Sequence, residues 1–413
     1  MRRTILAFLL ALAFTSAGRT FQERGDADFK STVILVGFDG WRWDYHTKAP
    51  APNLRSLMAR GVRAENLIPG YPSKTFPNFY TIVTGLYPGH HGIVANNIKD
   101  PATGRTFSLS KREEVEDPMW WGGEPLWVGV QRAGQPAAAM FWPGSEAPVG
   151  GVWPRYWQRF DGNYPANDRV DKVLGWLDLP AAERPTFLTM YFEDTDSAGH
   201  DHGPDSRQVR DAIRRADAYL GRLLRGLERR GLTDRVNIVV VSDHGMAATS
   251  TRRVVVLDDY ISLGDVDVID INPTLGIVPR PGREDAVYRA LVNAHPRLKV
   301  YRPAETPERW HYRDHPRIPQ IVGVVDDGWQ VLRRATVLGI AARKMLGAGG
   351  THGYDPEVMS MRGVFVAAGP AFKHGVTVPA FENVHIYNAL AQILGVPPAS
   401  NDGDPAIARS LLR

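Results

Sequence analysis

A chain of 413 residues with 43% hydrophobic content is long enough for one large α/β domain, alone or carrying an insertion. The formal charge of +4 comes without a Lys/Arg block, which argues against duplex nucleic acid as a partner. Cysteine is absent, which excludes disulfides, thiolate metal ligands and a lipid-modified N-terminal cysteine, although export needs none of these.

The chain opens with Met1-Arg2-Arg3, an apolar run from Ile5 to Phe14 and Thr15-Ser16-Ala17-Gly18. This layout predicts a secretory signal over residues 1–17, and so a periplasmic or secreted protein. A buried N-terminal helix is the alternative. The run is too short for a membrane span.

Thr32–Phe38 is continuously apolar and β-branched, as expected of a strand buried on both faces. Similar runs are Ala137–Phe141, Phe187–Phe192, Val236–Val241 and Val364–Ala368. Between the third and fourth, Val209, Ile213, Ala216, Leu220, Leu223, Leu224 and Leu227 follow helical spacing beneath a charged face. Buried strands alternating with helices predict an α/β fold, a mostly parallel central sheet with helices on both faces. From 249 to 334 shorter alternating segments surround one helical stretch, Arg283–Ala294. That texture predicts a small α+β insertion, leaving 28–248 and 335–413 as the main domain. Nothing in the sequence specifies an oligomeric state.

Polar chemistry gathers in five short stretches. They are Gly37-Phe38-Asp39-Gly40, Pro72-Ser73-Lys74-Thr75-Phe76-Pro77, Asp196-Ser197-Ala198-Gly199-His200, Ser242-Asp243-His244-Gly245 and Gly350-Thr351-His352-Gly353. Asp39, Asp196 and Asp243-His244 follow the C-terminal ends of expected strands, the edge where ligands gather in open α/β sheets. Asp196 and His200 have a spacing that suits two ligands of one ion. For Asp243 and His244 to face one ion the backbone must turn, which Gly245 permits. Thr75 precedes the expected helix Asn78–Thr84, so its hydroxyl lies near the positive end of a helix dipole. Taken singly, each stretch reads as well as a solvated loop, a structural histidine or a threonine cap. Together they supply three Asp, three His and the Thr75 hydroxyl, about the protein ligands that two zinc-type sites need. A close metal pair can clamp the attacking and leaving oxygens of a displacement at phosphorus.

The order Asp, Thr, Asp-x-x-x-His, Asp-His, His resembles the alkaline phosphatase superfamily. Further segments narrow the resemblance to the nucleotide pyrophosphatase/phosphodiesterase family. They are Pro72–Asn78, Gly89-His90-His91-Gly92-Ile93, Trp120–Pro125, Phe141–Ser145, Ser197–His200 and Glu382–Asn388, spread from about Thr32 to the C-terminus.

The resemblance implies two Zn²⁺ per subunit, with other divalent ions compatible with the donor set. Asp196, His200 and His352 would hold one; Asp39, Asp243, His244 and the Thr75 oxygen would hold the other. Thr75 would be the nucleophile, forming a phospho-threonine. Its N–H and the Asn96 side chain would support the phosphoryl oxygens. Phe76 and Phe160 match the positions that sandwich a nucleotide base, and Tyr191 could line the same pocket. The expected partner is a small nucleotide or phosphodiester, cleaved to release nucleoside 5′-monophosphate. Thr195 replaces a proline common in the family and Ile98 interrupts a usual Met-Tyr pair; neither is expected to touch a ligand.

Four other readings compete. Choline- or glycerol-type lipid head groups could replace nucleotides. A phosphomonoesterase is disfavoured because Phe76-Pro77-Asn78 follow Thr75 where that branch carries arginine. The absence of a modified-nucleophile context opposes a sulfatase. A non-catalytic metal-binding protein is expected only where a ligand or the nucleophile is replaced, and none is.

Overall fold

The computed structural model describes residues 29–342 and 349–413; the expected signal at 1–17 lies outside the described residues. The strands that build the main sheet are β1 (Thr32–Phe38), β2 (Val62–Ala64), β3 (Ala137–Met140), β4 (Tyr156–Gln158), β5 (Phe187–Phe192) and β6 (Val236–Val241). Four strands follow between 266 and 325: β7 (Val266–Ile271), β8 (Thr274–Pro279), β9 (Leu298–Tyr301) and β10 (Ile321–Val325). The main sheet is completed by β11 (Phe365–Ala368) and β12 (Val376–Val378), giving eight strands in the order β12-β2-β11-β6-β1-β5-β3-β4.

Strand β1 lies at the centre, parallel to both β5 and β6, and the parallel pairing continues through β3 to β4. Strand β11 runs antiparallel to β6 and β2. The sheet is therefore mixed, with the expected parallel body and one reversed strand. An apolar run carries no mark of strand direction, so this reversal was invisible in the pattern.

The period-2 geometry of β1 sends Val33 and Leu35 to one face and Ile34, Val36 and Phe38 to the other. The first face is covered by α2 (Thr75–Thr84), α3 (Leu126–Arg132) and α8 (Ile386–Leu394), through residues such as Phe79, Trp127 and Leu390. The second is covered by α1 (Pro52–Arg60), α4 (Ala166–Leu177) and α6 (Arg207–Glu228), through Leu54, Val173 and Ile213. Helix α5 (Asp194–His202) immediately follows β5. The remaining helix introduced here, α7 (Glu284–Leu291), falls inside the expected Arg283–Ala294 stretch.

Strands β7 to β10 form a separate antiparallel sheet in the order β7-β8-β10-β9, with an apolar cluster that includes Leu275, Ile277, Leu291, Leu298 and Ile321. Strand β7 went unpredicted because two aspartates, Asp267 and Asp270, interrupt its apolar residues.

Candidate active site

Three loops leave the C-terminal edge of the central strands side by side. β1 delivers Asp39, β5 runs into α5 with Asp196 and His200, and β6 delivers Asp243 and His244. The turn after β1 uses Gly40 at φ +62, where a Cβ would lie 2.9 Å from the Asp196 Cα. Only glycine lets this turn press against α5, and its N–H then donates to Asp243 Oδ1 at 3.2 Å. Gly245 acts by close approach rather than by an unusual dihedral: a Cβ there would stand 2.2 Å from the Ser360 carbonyl oxygen.

His352 arrives from a distant part of the chain. Gly350–Thr351 pairs antiparallel with Ala247–Ala248, so the segment leaving His244 runs beside the one entering His352. The two imidazoles stack with ring centroids 3.4 Å apart. Thr75 is the first residue of α2, with Lys74 as the N-cap. The helix begins three residues earlier than expected, because Pro77 is tolerated within a first turn whose N–H groups lack intrahelical partners anyway. The Thr75 hydroxyl lies 3.3 Å from His244 Nε2.

These residues form two clusters. Asp196, His200 and His352 make one, and Asp39, Asp243 and His244 the other; within each, one donor atom per residue lies within 4.8 Å of the rest. The second cluster is fully buried, whereas His200 in the first is exposed. Each histidine points Nδ1 at a backbone carbonyl: His200 at Gly350 (3.0 Å), His244 at Gly245 (2.8 Å) and His352 at Ser73 (2.9 Å). A carbonyl can only accept, so Nδ1 carries the hydrogen and Nε2 offers its lone pair to the cluster, as a metal ligand must.

The carboxylates tell the same story. Among the described residues, Asp39 Oδ1, Asp196 Oδ1 and Asp243 Oδ2 are buried with no hydrogen donor, the His244 Nε2 that stands 2.8 Å from Asp243 Oδ2 carrying a lone pair when Nδ1 holds the hydrogen. Burial, and then the nearby Asp243 and Asp196 charges, push the Asp39 carboxyl well above the usual range. Burial also raises Asp196, against the pull of His200 and His244. Burial pushes His352 down, helped by the neighbouring imidazoles. For His244 burial acts downward too, but Asp243 outweighs it and the net shift is upward. Orphaned carboxylate oxygens that repel one another, facing imidazole lone pairs, are the donor set of divalent cations.

Around this centre, Asn96 Oδ1 accepts the Phe76 N–H at 3.2 Å. Phe76 is half-buried and packs against Phe107 and Trp121, with centroids 6.0 and 5.9 Å away. Phe160, 40% exposed, leans on Phe141 and Tyr191 instead. Tyr191 was expected beside substrate, and its hydroxyl is committed to Asp39 Oδ2 at 2.6 Å. Thr195, expected to stay clear of the ligands, donates its hydroxyl to the Asp39 carbonyl; a proline there could not. Ile98 is buried in the core. A 560 Å³ cleft flanks α5 beside Tyr164, Ser197 and Asp201, but none of the six cluster residues, nor Thr75, lines it.

A central α/β sheet with paired Asp/His clusters at its C-terminal edge defines an alkaline phosphatase-like hydrolase. The sequence profile described as type I phosphodiesterase / nucleotide pyrophosphatase matches residues 33–355. A Schizosaccharomyces pombe protein named as an uncharacterized pyrophosphatase/phosphodiesterase is 39% identical, over 95% of this chain and 82% of its own. Human ectonucleotide pyrophosphatase/phosphodiesterase family member 5 is 35% identical, over 98% of this chain and 82% of its own. The venom phosphodiesterase of Macrovipera lebetinus is 38% identical over 93% of this chain, which spans 45% of that longer protein. Murine ectonucleotide pyrophosphatase/phosphodiesterase 5, solved as an inactive threonine-to-alanine variant with AMP, superposes with a TM-score of 0.87 at 36% identity, covering 92% of this chain and all of that one. The chain belongs to the type I phosphodiesterase/nucleotide pyrophosphatase family, whose members are metal-dependent hydrolases.

Proposed function

We propose that this protein is a zinc-dependent phosphodiesterase/nucleotide pyrophosphatase that works through a phospho-threonine and releases nucleoside 5′-monophosphates. The observation that carries the reading is the Thr75 hydroxyl, 3.3 Å from His244 Nε2, beside two clusters of three metal-type ligands. Asp196, His200 and His352 would hold one ion; Asp39, Asp243, His244 and the Thr75 oxygen would hold the other. Two divalent ions, zinc being one that this nitrogen-and-oxygen donor set suits, would supply positive charge that eases ionisation of Thr75 and neutralises phosphoryl oxygens.

Thr75 Oγ1 bonds to phosphorus as the bond to the leaving alcohol or phosphate oxygen breaks. Water entering from the exposed His200 side then attacks phosphorus, breaks the Thr75 Oγ1–P bond and restores the hydroxyl. The Thr75 N–H, in a helical first turn, has no intrahelical partner and is available to a phosphoryl oxygen. With Asn96 Oδ1 occupied by Phe76, the Asn96 amide NH₂ is free to donate to another. Phe160 and Phe76 would hold the base. The murine relative's AMP complex and its inactivity without a threonine support both halves of this assignment.

We further infer that residues 249–334 are an insertion serving a catalytic body of 28–248 and 335–413. Among the described residues no helix is long and apolar enough to cross a membrane. The signal-like sequence pattern of residues 1–17 and the named venom and ectonucleotide relatives support export to the periplasm or beyond.

The test is hydrolysis by the purified protein, supplied with zinc, of three nitrophenyl substrates: a nucleotide diester, a phosphate monoester and a phosphocholine. The diester is expected to be cleaved fastest, and Thr75→Ala to abolish turnover while retaining near-normal metal content. Faster monoester cleavage, or an active Thr75→Ala, overturns the reading; faster phosphocholine cleavage moves the substrate to lipid head groups.

A further inference from the structure

Asp270 lies on β7, where the pairing with β8 shifts register between Val268 and Asp270. Such an irregularity re-aims a side chain. Here the carboxylate reaches the segment that starts α2 and is buried, 5% exposed. Its Oδ2 accepts the Lys74 ammonium and the Thr274 hydroxyl, the latter at 2.8 Å. Its Oδ1 accepts Asn97 Nδ2 at 3.3 Å.

Lys74 immediately precedes Thr75 and caps the helix that Thr75 begins. Asn97 immediately follows Asn96. One carboxylate of the smaller sheet therefore grips the neighbours of both residues assigned to the phosphoryl group. The Asn96–Phe76 hydrogen bond closes the loop between the two segments. A buried ion pair such as Lys74–Asp270, with both partners 5% exposed, is a poor source of net stability, because desolvation offsets attraction. Its geometric effect is specific: it fixes the start of α2 against the segment carrying Asn96.

We propose that Asp270 is a positioning residue for phosphoryl transfer, aligning Thr75 through Lys74 and Asn96 through Asn97. The inference rests on the assignment of Thr75 and Asn96 made above. Small displacements of reacting groups cost far more in turnover than in binding.

The test uses the full chain with zinc and the nitrophenyl nucleotide diester. Asp270→Asn is expected to lower kcat by about 10- to 100-fold, the scale of a small misplacement of reacting groups, with little change in KM. Asp270→Glu should recover part of that loss, and Lys74→Gln combined with Asp270→Asn should cost no more than Asp270→Asn alone, since the pair acts as one unit. Asn97→Ala, at an exposed position, breaks only the second arm and should give a smaller fall in kcat; it keeps the test open should the Asp270 variants fold poorly. Asp267→Asn is the control, because Asp267 also ties β7 to the main body through Lys99 at 2.7 Å, and it should leave kcat unchanged. Unchanged kcat in Asp270→Asn or in Asn97→Ala, an equal loss in Asp267→Asn, or a change confined to KM overturns the proposal. An active Thr75→Ala would instead overturn the functional reading beneath it.

Discussion

Tyr191 and Asp39 meet across neighbouring strands: the phenol of β5 donates to Asp39 Oδ2 at 2.6 Å, just beyond the end of β1. Strand register brings this about, since Gly37 and Phe38 pair with Tyr191 and Phe192. With Oδ2 held, Oδ1 is left facing the cluster without a hydrogen-bond partner. Hydrogen bonds that orient a ligand commonly set metal affinity by about 10- to 100-fold. Tyr191→Phe should therefore raise the zinc concentration for half-maximal activity by about that factor. Turnover at saturating zinc should change much less. The readout is a zinc titration of the chelated variant. Unaltered zinc dependence would mean that the bond does not orient Asp39.

Removing the metal should expose the repulsion built into the site. In the metal-free protein, burial and then neighbouring carboxylates raise the Asp39 carboxyl, and burial raises Asp196. A carboxyl with a raised folded pKa holds its proton more tightly folded than unfolded. Its contribution is complete below the unfolded pKa and disappears as pH rises through the folded one. The melting temperature of chelated protein should fall as pH is raised out of the ordinary carboxylate range. Zinc should restore it, increasingly so at higher pH. Parallel melting curves with and without zinc across pH would count against metal binding at these carboxylates.

The difference between what was readable and what was not follows from where the information sits. Strands β1, β5 and β6 were legible because both faces are buried, so their residues are mostly apolar, with Thr32, Thr189 and Asn237 as the buried polar exceptions. The six cluster side chains and Thr75, which the structure brings together, were legible because their chemistry has few other uses in combination. The partners that orient them were not. Ser73, Gly245 and Gly350 act through carbonyl oxygens, which every residue possesses. The Thr195 bond to the Asp39 carbonyl and the grip of Asp270 on Lys74 depend on contacts across 156 and 196 residues, which no local spacing encodes. Lys74 could have been flagged, since a lysine beside Thr75 needs a partner when buried; its partner could not.

His91 supplies a pH test on a residue outside the two Asp/His clusters. It is 1% exposed, its Nδ1 accepts the Ile93 N–H at 3.2 Å, and its Nε2 lies 3.1 Å from the Pro77 carbonyl. These contacts require the neutral ring, and burial above all pushes its pKa down from 6.5 to about 3. Unfolded chain therefore takes up a proton that folded protein refuses throughout that window. The His91 contribution to stability should be flat above pH 6.5 and fall by ~1.4 kcal/mol per pH unit below it, toward about 3. His91→Gln, which keeps a donor and an acceptor, should flatten this part of the acid limb. Unfolding free energies from urea titrations in chelator at pH 7.5 and 5.5 should differ by that ~1.4 kcal/mol less in the variant. An equal difference would show that His91 is not the group responsible.

Phe160 offers the cleanest test of what the substrate carries beyond its phosphate. Its ring is 40% exposed although Phe141 and Tyr191 support it from behind. Its backbone is fixed, because the Phe160 N–H donates to buried Glu146 at 3.2 Å, and Arg112 holds the same carboxylate oxygen. A supported aromatic face left in water suits stacking of a base, worth about 1–3 kcal/mol. Phe160→Ala should lower kcat/KM for a nitrophenyl nucleotide diester by roughly 5- to 150-fold, the same energy expressed as a rate ratio. It should leave a base-free nitrophenyl methyl phosphate almost untouched. Phe76→Ala is less discriminating, since that ring also packs against Phe107 and Trp121 and its removal disturbs the first turn of α2. Equal losses on the two esters in Phe160→Ala would assign Phe160 to the architecture of the site, leaving nucleotide preference to be carried elsewhere.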